Sequence, residues 1–420
     1  MAHVAPRRCI GEAIPLRLAL ILTFLLLTVA SILLPVASIG DDETTRAEIL
    51  VGMSTALSGP AADLGRNMRD GVLAAFDEQN RAGGIHGRPL RLLALDDGYE
   101  PSRTAPNMRT LIEDHDVAAV LGNVGTPTAI AALPIALQGK TPFVGAFTGA
   151  GVLRKTPPDR YVINFRASYA QETAAMVDAL ITQAGLDPQE IAFFTQRDGY
   201  GDAGYSGGIA ALKAHGLDEI DRVLHVRYER NTTAVESAVS EILLAEPTPR
   251  AVIMVGAYAP CARFIRLTRD TGLDLMFLNV SFVGSRSLAH ALGDSADGVI
   301  VTQVVPPLGS EAPILDEYVD ALRQSNPRAR PSFGSLEGYV AARIFCRALG
   351  AIEGPPTRET IIDALESLGQ FDIGLGAPLS LAPDDHQACH RVWPTVLRDG
   401  DVVPFDWKSL APQQEALRSR

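Results

Sequence analysis

The chain has 420 residues, of which 47% are hydrophobic and 20% charged, and it carries a formal net charge of −12. That balance excludes a disordered chain, which is poor in apolar residues. The excess of acid argues against nucleic acid or an anionic membrane as partner, since both need basic patches. At about 150 residues per domain, the length suits two or three domains and a large core.

Arg7, Arg8 and Arg17 precede residues 18–39, which carry no charge and end in Pro35-Val36-Ala37-Ser38-Ile39-Gly40 before Asp41-Asp42-Glu43. A basic stretch, an apolar stretch and small residues before a polar one read as an export signal. The apolar run exceeds the ~7–15 residues of a usual signal core and reaches the ~20 that span a bilayer. Cleavage near Ala37 or Gly40 and retention of 18–39 as an inner-membrane anchor both stay open. No cysteine follows the run, which disfavours a lipid anchor; Cys9 lies before it. Removing residues 1–40 takes three basic and one acidic residue from 37 and 49, leaving 34 against 48, a charge of −14. Cys261, Cys346 and Cys389 remain. Their odd number and spacing imply neither a disulfide framework nor a metal motif, although a Cys346–Cys389 bridge is allowed.

The first folded stretch predicts a strand over 49–57, a small-residue loop, an amphipathic helix carrying Met68, Val72, Ala75 and Phe76 on one face, a stop at Gly83-Gly84, and a strand over 90–95. Continuous apolar runs suit parallel strands covered on both faces, and paired glycines accept the left-handed turn that ends a helix. This is one βαβ unit. Ser58-Gly59-Pro60-Ala61 has the composition of a ligand-facing turn at a strand's carboxyl end.

Three segments here, SGPAADLG from Ser58, NRAGGIHG from Asn80 and DDGYEP from Asp96, together resemble the leucine/isoleucine/valine-binding family of type I periplasmic binding proteins. These are the substrate-binding components of branched-chain amino acid ABC importers. The resemblance runs from about residue 48 to about 405. It implies an α/β fold of two Rossmann-like lobes with parallel sheets, joined by three hinge crossings. In that family an acid-turn cysteine often pairs with one in the third-strand loop; here those places hold Tyr99 and Gly125, so that bridge is absent.

Strands and helices alternate onward. A helix follows Pro101 to about His115, a strand covers 117–121, and a loop containing Thr126-Pro127-Thr128 leads into a helix to about Leu137. Pro at a first helical position is tolerated, its missing N–H having no partner there in any case. Thr126 beside free helix N–H groups reads either as a carboxylate site or as a simple cap. The strand over 142–146 empties into Phe147-Thr148-Gly149-Ala150-Gly151, the third small, hydroxylated loop at one sheet edge, where ligands of open parallel sheets bind. A strand over 161–166 and a helix over 169–184 place a first crossing near Phe165. The second half repeats the pattern: a strand over 191–195, a loop over 196–204 and a helix to His215, then strands over 223–228, 251–255 and 276–280 with helices over 235–245 and 261–271, at the spacing βαβ units require. A strand over 298–305 ends in Pro306-Pro307, the return crossing. Helices over 312–325, 335–349 and 358–368, then strand, turn at Asp399-Gly400 and strand, complete the chain. The expected organisation is a signal or anchor over 1–40, a first lobe of 46–165 plus 306–385, a second of 166–305 plus 386–410, and a tail over 411–420.

Nucleotide fingerprints are missing: no G-x-G-x-x-G follows the first strand and no G-x-x-x-x-G-K-[ST] occurs, so no cofactor is expected. Gly204-Tyr205-Ser206-Gly207-Gly208 has the form of a hydrolase elbow, which needs a sharp turn directly between strand and helix. The preceding strand ends near Thr195, so a small-residue helix packed on its sheet is the better reading. Asp384, Asp385, His386, Cys389 and His390 invite a metal reading, but Pro383 and the strand to come suggest a surface turn. No catalytic residue and no metal are assigned.

The resemblance carries a site over, residue by residue. Thr126 matches the hydroxyl that holds a ligand carboxylate, and Thr148 and Gly149 lie in the loop that adds a contact. Leu64 occupies the place of a first-lobe side chain that covers the ligand, Ser58 lies in the first such loop, and Tyr200 and Tyr258 match second-lobe aromatics. The acid that takes the ligand's ammonium falls at Ser281. Without it a buried ammonium would be unpaired at a cost of several kcal/mol, so a carboxylate or a more apolar small molecule lacking the ammonium fits at least as well unless Asp97, Asp198 or Asp202 compensates. The implied function is capture of a small molecule, an amino acid or other small carboxylate, by hinge closure, for delivery to an inner-membrane ABC permease. The implied location is the periplasm. A ligand sensor of the same fold is the alternative, and a hydrolase using Ser206 a distant third.

Overall fold

The computed structural model describes residues 1–3, 5 and 47–411. Residues 6–40 of the expected leader, its apolar run included, and all but the first residue of the expected tail lie outside the described residues, and the chain from Ala47 onward is a unit by itself. Among the described residues no helix is long and apolar enough to cross a membrane.

β1 (Ile49–Thr55), α1 (Ala62–Arg81) and β2 (Leu90–Asp96) form the expected βαβ unit, with β1 and β2 parallel from Ile49 opposite Leu90 to Thr55 opposite Asp96. α2 (Pro101–Arg109) runs on through a π turn at Thr110–Asp114, then come β3 (Ala119–Leu121), α3 (Thr126–Gln138), β4 (Phe143–Val144) and β5 (Val162–Ile163). The five strands pair in the order β2-β1-β3-β4-β5, all parallel.

The chain then crosses into α4 (Tyr169–Thr182), started by a capping box between Ser168 and Gln171. β6 (Ile191–Gln196), α5 (Gly199–Ala214), β7 (His225–Tyr228), α6 (Glu236–Leu243), β8 (Ala251–Val255), α7 (Tyr258–Asp270), β9 (Met276–Asn279), α8 (Ser285–Leu292) and β10 (Ile300–Gln303) follow. After β10 the chain returns as α9 (Ile314–Ser325), α10 (Phe333–Gly350) and α11 (Arg358–Glu366). α9 and α10 pack on α1. α1 and α10 touch backbone to backbone at two glycines: a Cβ on Gly71 would lie 1.9 Å from the Ser335 carbonyl oxygen, and one on Gly338 2.3 Å from that of Met68. A hairpin of β11 (Gly369–Phe371) and β12 (Leu379–Leu381) precedes the third crossing, after which β13 (Trp393–Arg398) and β14 (Asp401–Pro404) close the second sheet. Its order is β14-β13-β10-β9-β8-β6-β7. β13 and β14 run antiparallel, so this sheet is parallel only in its five other strands.

Several sequence expectations are corrected. The helix expected after a loop reaching Gly204 begins at Gly199, because the Asp198 carboxylate accepts the Tyr200 backbone N–H at 3.0 Å and caps it. α8 and the β11–β12 hairpin escaped the sequence reading: both are short, and α8 opens from Gly284 at φ 77° with no side-chain cap. The surface turn expected at Pro383 forms, Ala382 and Asp385 exchanging both backbone hydrogen bonds, but the segment that follows, with His386, Gln387 and Cys389, is buried. It lies beside β5 as an added edge, with Asn164 N–H donating to the His386 carbonyl at 2.7 Å and Cys389 N–H to Phe165 at 2.8 Å. His386 is buried between the Val162 carbonyl (2.8 Å) and Glu366 (3.1 Å), each from one ring nitrogen. The bridge allowed between Cys346 and Cys389 does not form; both are free and buried.

Candidate functional site

The carboxyl ends of β1, β3 and β4 bring their loops to one edge of the first sheet, and those of β6, β8 and β9 bring theirs to the facing edge of the second. On the first side, the loops after β3 and β4 are laced together by Phe147 N–H to the Asn123 carbonyl (2.7 Å) and Gly125 N–H to the Phe147 carbonyl (3.2 Å). This joins the hydroxyls of Thr126, the first residue of α3, and Thr148 at 2.6 Å, with Ala150 N–H donating to Thr148 at 3.2 Å. Both threonines are buried. The Gly149 carbonyl accepts the Tyr169 N–H at 2.8 Å, tying this loop to the start of α4.

Ser58 serves the loop rather than this pair. Its hydroxyl donates to Asp96 at 2.6 Å, and the Ser58 and Leu57 backbone N–H groups donate to the same carboxylate at 3.1 and 2.9 Å. Partial burial opposes ionisation of Asp96, but these donors with Gly98 N–H and Arg103 outweigh it and hold the acid down at about 2. The next residues turn sharply: Tyr99 takes φ 64°, rare without glycine, and its fully buried ring lies on Gly125. A Cβ at Gly125 would come 2.1 Å from that ring. The two places that hold a disulfide in the resembling family are thus still neighbours, joined here by an aromatic ring on a glycine.

From the second sheet, Tyr200 in the first turn of α5 is fully buried, and its hydroxyl donates to the Gly256 carbonyl at 3.3 Å. Its ring meets Tyr169 at 5.2 Å and Phe282 at 4.7 Å. Phe282, in the turn after β9, reaches across to Tyr99 (5.9 Å) and Phe147 (5.3 Å) of the first side. Tilted aromatic contacts of this kind are favourable beyond their area. Gln196 donates across the same seam to the Tyr99 hydroxyl at 3.1 Å. Tyr258, at the first turn of α7, is half-buried and faces Asp63 and Arg66 at the start of α1; burial raises its phenol. Leu64 of α1 packs over Gly284, where a Cβ would lie 2.7 Å from its methyl. The structure therefore gathers Leu64, Thr126, Thr148, Gly149, Tyr200, Tyr258 and Ser281 along one seam between the sheets, with Ser58 at its border.

Ser281 is surrounded by charge that sequence reasoning missed. Its N–H and hydroxyl donate to the two oxygens of Glu172, at 2.8 and 2.9 Å. Glu172, buried on α4, also accepts from Thr302 at 2.6 Å and Arg166 at 3.0 Å, while Arg166 donates to the Ser281 hydroxyl as well. Arg166 is fully buried, sits over the Phe147 ring at 5.2 Å, and pairs on its other side with Glu337 of α10 at 3.4 Å. Burial pushes Glu337 up to about 7 against the pull of Arg166, and Glu172 adds to the rise. The three acids that could have stood in for the one replaced by Ser281 are engaged elsewhere. Asp97 accepts from Ser54, Thr104 and Tyr99 N–H, Asp198 caps α5 and pairs with Arg230, and Asp202 pairs with Arg227. A lone acid on a helix otherwise apolar at that face, Glu337 beside Leu336, Tyr339 and Val340, was the signal available in sequence.

The seam encloses a cavity of about 20 Å³ lined by Leu64, Phe147, Ser281, Gln303, Ser332 and Glu337 among others, room for about one water-sized group. Ser206 lies on the exposed side of α5, about two turns past its start. The glycines around it are packing positions: a Cβ on Gly204 would lie 2.5 Å from Val255, one on Gly207 2.6 Å from the Ala170 backbone, one on Gly208 2.4 Å from the Phe193 ring. Among the described residues no cluster of three or more His, Cys, Asp or Glu could hold a metal ion.

Two lobes built on facing sheets, crossed three times by the chain and lined where they meet by hydroxyls and aromatic rings, define the type I class of periplasmic binding proteins. Comparison with known proteins agrees. The pattern of the family described as periplasmic binding protein matches residues 48–401, and the chain belongs to that family. It is 26% identical over 324 residues to the Leu/Ile/Val-binding protein homolog 7 of Brucella abortus (strain 2308), covering 73% of this chain and 78% of that one. Among solved structures, that of a possible leucine/isoleucine/valine-binding protein from Rhodopirellula baltica SH 1 shares 54% identity at a TM-score of 0.84, covering 87% of this chain and 97% of that one. A substrate-binding periplasmic protein from Ralstonia solanacearum shares 30% at 0.78, covering 85% and 100%.

Proposed function

We propose that this protein is an extracytoplasmic solute-binding component of an ABC importer, which captures a small amino acid or other small carboxylate between its lobes and presents the closed form to an inner-membrane permease. The observation that carries this reading is the pairing of Thr126, at the start of α3, with Thr148, next to Phe147, whose ring meets Phe282 of the facing side, itself against Tyr200. Free N–H groups and hydroxyls at a helix start suit a carboxylate, and aromatic faces suit the remainder of a small organic ligand. Relatives named as leucine/isoleucine/valine-binding proteins support the same class of ligand. In this reading residues 1–40 are the export signal or anchor, 46–165 with 306–385 the first lobe, and 166–305 with 386–410 the second.

Capture is a population shift. A ligand that touches both sheets stabilises the closed arrangement by its extra contacts there, and no bond is made or broken. Calorimetric titration of the exported chain with amino acids, aliphatic and aromatic acids and their amides tests it. Saturable binding of at least one small carboxylate is expected, with a loss of 100-fold or more, about 2.7 kcal/mol, in the double variant Thr126→Val, Tyr200→Ala. Binding that survives the double change at full affinity would reject this seam as the site.

A further inference from the structure

On the wall of the seam cavity one acceptor is left without a donor and a second is only loosely paired. The Gln303 side-chain oxygen is buried without a hydrogen-bond partner, its amide nitrogen being spent on Ser285 (2.6 Å) and Thr395 (3.0 Å). The Glu337 carboxylate has the Arg166 ion pair at 3.4 Å, longer than a good charge-assisted hydrogen bond. Glu172, by contrast, is saturated by Ser281, Thr302 and Arg166. Buried acceptors without donors are uncommon in folded proteins, and the one on Gln303, sharing a water-sized space with the Glu337 carboxylate and with Ser281 and Ser332, calls for a compact group rich in N–H.

We propose that Glu337 and Gln303 receive the ammonium of a ligand bearing both an amino and a carboxylate group, making Glu337 the specificity-determining acid in place of the one replaced by Ser281. The inference rests on the capture reading above and deepens it. Glu337 belongs to α10, packed on the first sheet's α1, whereas Gln303 ends β10 of the second sheet. A cation held by both ties the lobes together, so recognition and closure become one event. It also removes the reason to prefer a ligand without an ammonium: the compensating acid comes from a helix far along the chain rather than from Asp97, Asp198 or Asp202.

The test titrates the wild-type chain with the common L-amino acids, each beside the acid of the same carbon skeleton lacking the amino group, and repeats the tightest pair with Glu337→Gln. The wild type is expected to favour the amino acid at least tenfold, and Glu337→Gln to bring the two within threefold. A preference kept by Glu337→Gln, or a wild type that binds the deaminated acid as well or better, overturns the inference while leaving capture intact. A wild type that binds neither member of any pair overturns both. Should Glu337→Gln fail to fold, Gln303→Met reads the same ratio: a drop of threefold or more supports the inference, and an unchanged ratio overturns it.

Discussion

Glu337 carries a clear pH signature. An unfolded glutamate ionises near pH 4.3, whereas burial and Glu172 push this one up to about 7 despite Arg166 and Arg154. Between those values the native chain holds one more proton than the unfolded chain. The stability Glu337 contributes is therefore complete below about pH 4.3 and is lost as the pH climbs to about 7. Urea unfolding without ligand at pH 5 and pH 8 should show wild type losing on the order of 1–3 kcal/mol more than Glu337→Gln across that interval; equal losses would mean that Glu337 ionises normally. Thr126, Thr148 and Tyr200 could be read from sequence because strand ends deliver them in order. Arg166, Glu172 and Glu337 could not be assembled, since they lie on the crossing after β5 and on two helices whose meeting depends on how the lobes pack.

For the elements, glycine is the informative residue. The run from Gly199 to Gly208 lowers helix propensity by about 1 kcal/mol per glycine relative to alanine, which is why the helix start was misread. Those glycines let α5 lie against α4, β6 and β8 at contact distances no side chain allows. Gly207→Val should cost more than about 2 kcal/mol through overpacking against Ala170 and Thr173. Ser206→Ala, one residue away on the exposed face, should stay within about 0.5 kcal/mol. Chemical denaturation of both variants checks the contrast; a Ser206→Ala loss matching that of Gly207→Val would contradict the packing account. The segment beside β5 teaches the complementary point. Its proline, acids and histidines have the composition of a turn, yet pairing with Asn164 and Phe165 turned the part after Asp385 into a sheet edge.

Across the whole molecule, a few polar contacts fasten the two sides at the rim of the seam. Glu100 of the first side pairs with Arg230 at 2.8 Å and accepts from Asn231, and Ser287 donates to Asp63 at 3.2 Å. These groups are partly exposed, so each is worth about 0–1 kcal/mol and is weakened by salt. Glu100→Ala should therefore weaken ligand binding two- to fivefold by raising the dissociation rate, with the difference shrinking at high salt, as stopped-flow fluorescence at two ionic strengths would show. An effect confined to the association rate would place Glu100 outside the closing contact.

The sequence by itself determined the alternation of strands and helices, the parallel sheets, the small hydroxylated loops at strand ends and the family, because apolar runs, glycine stops and loop composition are local and survive without knowledge of partners. Tertiary structure alone decided which acids face the seam, that Phe282 spans it, that Tyr99 rests on Gly125, and that the closing hairpin joins the second sheet antiparallel to β10. Those facts depend on which surfaces meet when two sheets close on each other, and a side chain's charge state and partners are set by that meeting rather than by its neighbours along the chain.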